Sequence, residues 1–225
     1  MTKSEFAKII DHTALKPDTN ETNINQLCEE ALKFNFGAVC VSPTWVPLAA
    51  KKLAGSLVKV VAVVGFPHGS TLTSVKAFEA SQVISCGADE IDMVINIGAL
   101  ISGHEDIVFI DIESVVQSAI KVNPRVIVKV ILETAFLSDG QKTLACKIAE
   151  KAGANYIKTS TGFATSGANV HDVSLIRGVV ENRLGIKAAG GIRDLSTAKA
   201  IIAAGATRIG CSSSVSIFQE YLKEA

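Results

Sequence analysis

The stretch G153-A-N-Y-I-K-T-S-T-G-F163 sets a glycine at a helix end, a short apolar run, a lysine in that run and a Ser/Thr/Gly turn in eleven residues. The same grammar recurs along the chain. Gly37-Ala38, Gly87-Ala88, Gly153-Ala154 and Gly205-Ala206 each follow an amphipathic segment and precede a β-branched run. Glycine in those places is expected to take the left-handed conformation that stops a helix. The runs are AVCVS (38–42), KVVAVVGF (59–66), EIDMVIN (90–96), RVIVKVIL (125–132), YIKTST (156–161), GIKAAG (185–190) and RIGCS (208–212). They are almost continuously apolar rather than alternating, as parallel strands covered on both faces must be. IIDHTAL (9–15) supplies an eighth at the front.

Eight strand–helix units in 225 residues predict an α/β protein, a (β/α)8 TIM barrel forming a single domain over residues 1–225. An open doubly wound sheet is the alternative; it is disfavoured because no G-x-G-x-x-G follows the first strand and no composition break divides the chain. Lysine plus arginine equals aspartate plus glutamate, 22 each, so no bulk field draws the chain to nucleic acid or to a membrane surface. The five cysteines are scattered and form no C-x-x-C pair, which suits reduced thiols. The N-terminal MTKSEFAKIID has no apolar core of a signal peptide, and no apolar run reaches a membrane span. A cytoplasmic location is expected, and a homodimer from the frequency of two-fold oligomers.

Three lysines stand inside predicted strands, at positions 129, 158 and 187. A single strand lysine is ordinarily an edge residue or one whose head reaches water; a barrel has no edges. Inward side chains stack in layers from alternate strands, so Asp92 and Lys158 are expected to share one layer and Lys129 and Lys187 the next. A free lysine titrates near 10.4, and lowering it by about three units takes ~4 kcal/mol. One like charge about 4 Å away at an effective dielectric near 20 supplies roughly that. The cluster fits a Schiff-base enzyme, with a structural or anion-binding role for the lysines as the alternative. A phosphate-barrel isomerase or a sugar-phosphate binding protein stays open on the same residues.

Gly190-Gly191 after the seventh run, and Ser212-Ser213-Ser214 after the eighth, lie in the two loops where such barrels hold phosphate. The bland alternative is a tight turn and a helix cap. His12, His68, His104 and His171 form no H-x-x-x-H or H-x-H pair, so no metal site is expected. Cys40 is expected to pack in the barrel, and Glu133, at the catalytic end of its strand, to orient a lysine or to serve as a structural partner without chemistry.

The stretches IDHTALKP, AVCVSP, VVGFPHG, EIDMVINIGAL, VKVILET, YIKTSTGF, GIKAAGGIR and RIGCSSS carry a resemblance over nearly the whole chain. The sequence resembles the deoxyribose-phosphate aldolase family of class I aldolases in deoxynucleoside catabolism. The resemblance implies a (β/α)8 barrel that reversibly cleaves 2-deoxy-D-ribose 5-phosphate to D-glyceraldehyde 3-phosphate and acetaldehyde, with no metal and no cofactor. It implies Lys158 as the Schiff-base residue, Asp92 and Lys187 as the proton-transfer pair, and phosphate contacts at Gly162, Gly190, Gly191, Ser212 and Ser213. Lys129 is expected to support Asp92. Ser214 stands where glycine is common in the family and Ala189 where serine is frequent. GHEDIVFIDI (103–112) also departs from the family pattern and is expected on a surface helix with no catalytic effect.

Overall fold

In the computed structural model, which describes residues 1–224, the chain runs α1 (Lys3–Lys8), β1 (Ile10–Ala14), α2 (Glu21–Phe34), β2 (Ala38–Val41), α3 (Val46–Lys52), β3 (Lys59–Val64), α4 (Thr73–Ser85), β4 (Glu90–Val94), α5 (Ile97–Ile101), α6 (Glu105–Val122), β5 (Ile127–Ile131), α7 (Asp139–Lys151), β6 (Tyr156–Lys158), α8 (Val170–Val180), β7 (Gly185–Ala189), α9 (Leu195–Ala203), β8 (Arg208–Cys211) and α10 (Ser214–Glu224). All eight strands pair in parallel and in sequence order, and β8 returns to β1, with Asp11 opposite Gly210, to close the barrel. Every predicted strand is present, with ends trimmed by one to three residues. The largest trim is at β6, which ends at Lys158 instead of Thr161. Beyond it the chain is tied by side chains: Ala189 N donates to Thr159 Oγ1 at 3.1 Å, and Thr161 N to Glu133 Oε1 at 3.2 Å.

Helix ends follow local chemistry. Gly87, Gly153 and Gly205 are left-handed, with φ of 107°, 89° and 117°. Gly37 is not. Asn35, at φ 55°, takes the left-handed turn after α2. Gly37 is needed for close approach instead, since a Cβ there would lie 2.1 Å from the carbonyl oxygen of Lys8. Helix starts are capped by side chains: Asn20, Ser138, Asn169 and Asp194 each accept from the third helical N–H.

Two apolar bodies hold the fold. The larger lies between strands and helices and includes Ile24, Val39, Ile91, Ile112, Ile157 and Ile186. The smaller, Leu15, Ala38, Cys40, Val61 and Val63 with Phe66 against it, fills the barrel interior on the β1–β3 side. The remaining interior is charged. That asymmetry positions the site: aliphatic packing occupies one half of the lumen, and ionised side chains from β4, β5, β6, β7 and β8, joined by Asp11 of β1, occupy the other.

The segment GHEDIVFIDI does fall largely on a helix, α6, but it is not merely a surface element. Asp111 is buried and takes the ammonium of buried Lys76 at 2.6 Å, while Lys76 also donates to Val94 O at 2.9 Å. This pair joins α4 and α6 to the end of β4. Among the described residues no helix is long and apolar enough to cross a membrane.

Candidate active site

Inward positions repeat every second residue along a strand, so Glu90 and Asp92 on β4 face the lumen together. Register then brings the lysines to them: Asp92 pairs with Lys129 across β4–β5, and Lys158 with Lys187 across β6–β7. Asp92 becomes the hub. Lys158 and Lys187 both donate to its Oδ2, at 2.8 and 2.6 Å, and Lys129 donates to Oδ1 at 3.0 Å. All four residues are at most 2% exposed, a burial that ionised groups tolerate only when paired. The expected meeting of three cations and a carboxylate is found, with all three lysines converging on the one side chain.

The sequence reading missed the other carboxylates. Asp11 takes Lys187 Nζ at 2.5 Å, and Glu90 takes Lys129 Nζ at 2.5 Å. Arg208 joins those two, its Nε donating to Asp11 Oδ1 at 2.9 Å and its Nη2 lying 3.3 Å from Glu90 Oε2. The signal was present: each lies on the inward parity of its strand, and a charged residue there needs a partner. Gly210 was missed too; a Cβ there would lie 3.0 Å from Lys187 Cε, so β8 leaves room for the lysine stem.

These contacts set the ionisation. Burial pushes the Asp92 carboxyl up, but Lys129, Lys158 and Lys187 outweigh it and hold the group well below the usual carboxylate range. Burial likewise disfavours the Lys187 ammonium, yet Asp11 and Asp92 overcome it and raise its pKa above that of an ordinary lysine. Lys187 is therefore a firm cation at neutral pH. The Cys40 thiol, 3.9 Å from Asp92 Oδ2, is pushed up by burial and stays protonated. It packs in the lumen as expected.

A cavity of about 530 Å³ opens above this layer. Of the three barrel lysines only Lys158 borders it. Gly162, Gly190, Gly191 and Ser212 line it as well; Ser213, expected beside them, is not in the lining. Gly190 and Gly191 have φ of 86° and 77°, and Gly162 of 88°, conformations that glycine adopts without strain. Ser214 anchors the eighth loop by donating to Cys211 O at 2.8 Å. Lys16, Asp18, Asn23 and Arg193 at the mouth were not anticipated, because loop residues carry no periodicity to read. Glu133 does not orient a lysine. Its carboxylate accepts from the N–H and hydroxyl of Thr161, and so holds the turn that carries Gly162.

His12 sits on β1 facing outward and meets Glu30 at 2.7 Å, away from the cavity. His171 does come near two carboxylates, Asp139 and Asp172, with donor atoms within 4.8 Å of one another. The ammonium of Lys142 already lies between those aspartates, 3.1 Å from Asp139 and 2.6 Å from Asp172, and so takes the place a cation would fill.

A family model described as DeoC/LacD family aldolase matches residues 6–220. The chain is 53% identical over 212 residues to the deoxyribose-phosphate aldolase of Streptococcus gordonii, covering 94% of each. It is 50% identical to the enzyme of that name from Carboxydothermus hydrogenoformans, over 97% of this chain and 96% of that one. Among solved structures, QR15, an aldolase, superposes with a TM-score of 0.91 at 41% identity over 97% of this chain and 96% of its own. The tetrameric deoxyribose phosphate aldolase from Aeropyrum pernix does so with a TM-score of 0.91 at 30% identity, over 100% and 94%.

Proposed function

Because the chain belongs to the DeoC/LacD aldolase family, we propose that Lys158 is the residue that carries its covalent chemistry. The reaction is the reversible cleavage of 2-deoxy-D-ribose 5-phosphate to D-glyceraldehyde 3-phosphate and acetaldehyde. The single observation behind Lys158 is that it alone joins the buried lysine cluster to the cavity.

The neutral amine of Lys158 attacks the C1 aldehyde of the open-chain sugar, and the carbinolamine loses water to an iminium. That cation is the electron sink. A base takes the proton of the C3 hydroxyl, the O–H electrons form the aldehyde carbonyl, and the C2–C3 pair moves into the iminium to give an enamine. Glyceraldehyde 3-phosphate leaves. Protonation of the enamine at C2 restores an iminium, and water releases acetaldehyde and the amine. Asp92 and Lys187 are the proton-transfer pair in this scheme. Their shared contact at Oδ2 gives a proton leaving Lys158 an acceptor at 2.8 Å and couples it to the Lys187 ammonium on the same oxygen. Lys129 supports Asp92 from Oδ1. No metal and no organic cofactor takes part in this scheme.

Gly162, Gly190, Gly191, Ser212 and Ser213 form the phosphate grip in this scheme, with Ser213 contributing from the start of the loop helix instead of from the wall. Holding the phosphate at the glycine end presents the aldehyde to the amine. The enzyme is further proposed to work in the cytoplasm as a homodimer. Exposed Leu72, Val75 and Phe78 on and beside α4 favour self-association, and light scattering of the purified chain decides it.

Borohydride added with substrate tests the core of the scheme. A reduced adduct on the peptide carrying Lys158 is expected. Lys158→Ala is expected to abolish turnover while retaining 2-deoxyribose 5-phosphate binding by calorimetry. Near-normal cleavage by that variant rejects the scheme.

A further inference from the structure

The ionised side chains beneath the cavity close on themselves. From Lys187 the contacts pass to Asp11 at 2.5 Å, from Asp11 to Arg208 at 2.9 Å, and from Arg208 to Glu90 at 3.3 Å. They continue from Glu90 to Lys129 at 2.5 Å, from Lys129 to Asp92 at 3.0 Å, and from Asp92 back to Lys187 at 2.6 Å. Signs alternate all the way round. Three carboxylates face three cations, so the ring is neutral by itself. Lys158 touches it only at Asp92 Oδ2 and is the one cation in excess.

That surplus decides where a proton can be lost. At equilibrium, discharging any ring member strands an opposite charge in the interior and is strongly disfavoured, so a ring member takes or gives a proton only in passing. Discharging Lys158 strands nothing. The charged and titratable groups around it are Asp92 from β4, Lys129 from β5, Lys187 from β7, Asp11 from β1 and the Cys40 thiol from β2, with Glu90 and Arg208 closing the ring below. Like-charge crowding by two lysines is offset by their carboxylates. The balance of the whole ring remains.

We propose that Arg208 and Glu90, neither of which borders the cavity, are positioning residues that complete this ring and so set the pH at which Lys158 becomes a free amine. The proposal rests on Lys158 as the nucleophile. It makes an unusual demand: neutralising the two partners of one ion pair must move the same titration in opposite directions. Glu90→Gln leaves the ring with an extra positive charge and lowers the pH at which Lys158 deprotonates. Arg208→Met leaves it with an extra negative charge and raises that pH. A unit charge about 10 Å away at an effective dielectric near 20 shifts a titration by about one pH unit.

The test is the acidic limb of kcat/KM against pH for 2-deoxyribose 5-phosphate cleavage. Ionisation of the substrate is common to all variants and cancels in the comparison. The limb is expected about one unit lower in Glu90→Gln and about one unit higher in Arg208→Met. It should return to the wild-type position in the double variant, which removes one charge of each sign, and stay there in Arg208→Lys. Shifts of both single variants in one direction, or no shift in either, overturn the proposal, since loss of structure alone has no reason to change sign. If Arg208→Met does not fold, Glu90→Gln and the double variant decide: a lowered limb restored by the second change sustains the ring, and an unmoved limb overturns it. Borohydride adducts located away from Lys158 in the wild type would instead reject the nucleophile assignment beneath the proposal, whatever the limbs do.

Discussion

Lys158 and Lys187 donate to the same carboxylate oxygen, Oδ2 of Asp92, from adjacent strands. One of them borders the cavity and the other is sealed beneath it. In the proposed scheme that difference in access, more than any difference in residue type, separates the nucleophile from the fixed charge beside it.

Asp92→Asn removes the hub and leaves three buried ammonium groups short of a charge. Loss of activity and a destabilisation of ~3–5 kcal/mol at pH 7 are expected in urea unfolding. The pH trend follows from the depressed native pKa. The unfolded chain protonates this carboxyl near 4, the native state only at much lower pH, so its contribution is present above about pH 4 and fades as acid is added below that. The stability gap between wild type and Asp92→Asn therefore narrows on acidification; a gap that widens contradicts the assignment.

For Lys187→Met the native pKa is raised instead. Its ion-pair contribution is complete below about pH 10 and is lost only as pH climbs toward the native value. The stability loss in the variant should thus be flat from pH 6 to 9. Activity should fall by about two to four orders of magnitude, the range for loss of a proton-transfer group, and the acidic limb of kcat/KM should move upward because a cation has left the neighbourhood of Lys158.

Gly190→Ala probes the proposed phosphate grip. At φ 86° a Cβ is strained by ~1–2 kcal/mol, and it would lie 3.1 Å from Gly167 Cα and 3.4 Å from Gly162 Cα. KM for 2-deoxyribose 5-phosphate should rise with kcat little changed, while kcat/KM for unphosphorylated 2-deoxyribose stays near wild type. Equal losses on the two substrates would separate this loop from the phosphate.

The Lys76–Asp111 pair offers a control remote from the chemistry. Lys76→Met alone strands a buried carboxylate and should cost ~3–5 kcal/mol of stability. Adding Asp111→Leu should recover most of that loss, as replacing both partners by apolar groups often does. Thermal melts of the two variants check the order, and activity of the folded fraction is expected to stay near wild type.

Much of this was legible in advance. Near-continuous apolar runs, four of them introduced by a Gly-Ala pair, located the strands, because strand and helix signals are written locally. Lys129, Lys158, Lys187 and Asp92 stood out as charged residues inside apolar runs. Asp11 and Arg208 carried the same mark and were passed over, one at the weakest strand signal and the other at a strand start where exposure is ordinary. Of the two readings of Glu133, the structural one holds: its backbone stands at a left-handed φ of 57° and its carboxylate accepts from Thr161, with no lysine on it. Asp111 looked like one more acid on a helix, and only the packing of α4 against α6 buries it on Lys76.

The order of elements, the inward face of each strand and the residue types on that face belong to the chain alone, since they depend on neighbours a few positions apart. Which carboxylate meets which lysine does not. Residues 11, 92, 158 and 187 come together only because β8 closes on β1 and the strand register aligns distant segments. Closure is a property of the whole sheet, and with it came the charge ring and the one barrel lysine left facing the cavity.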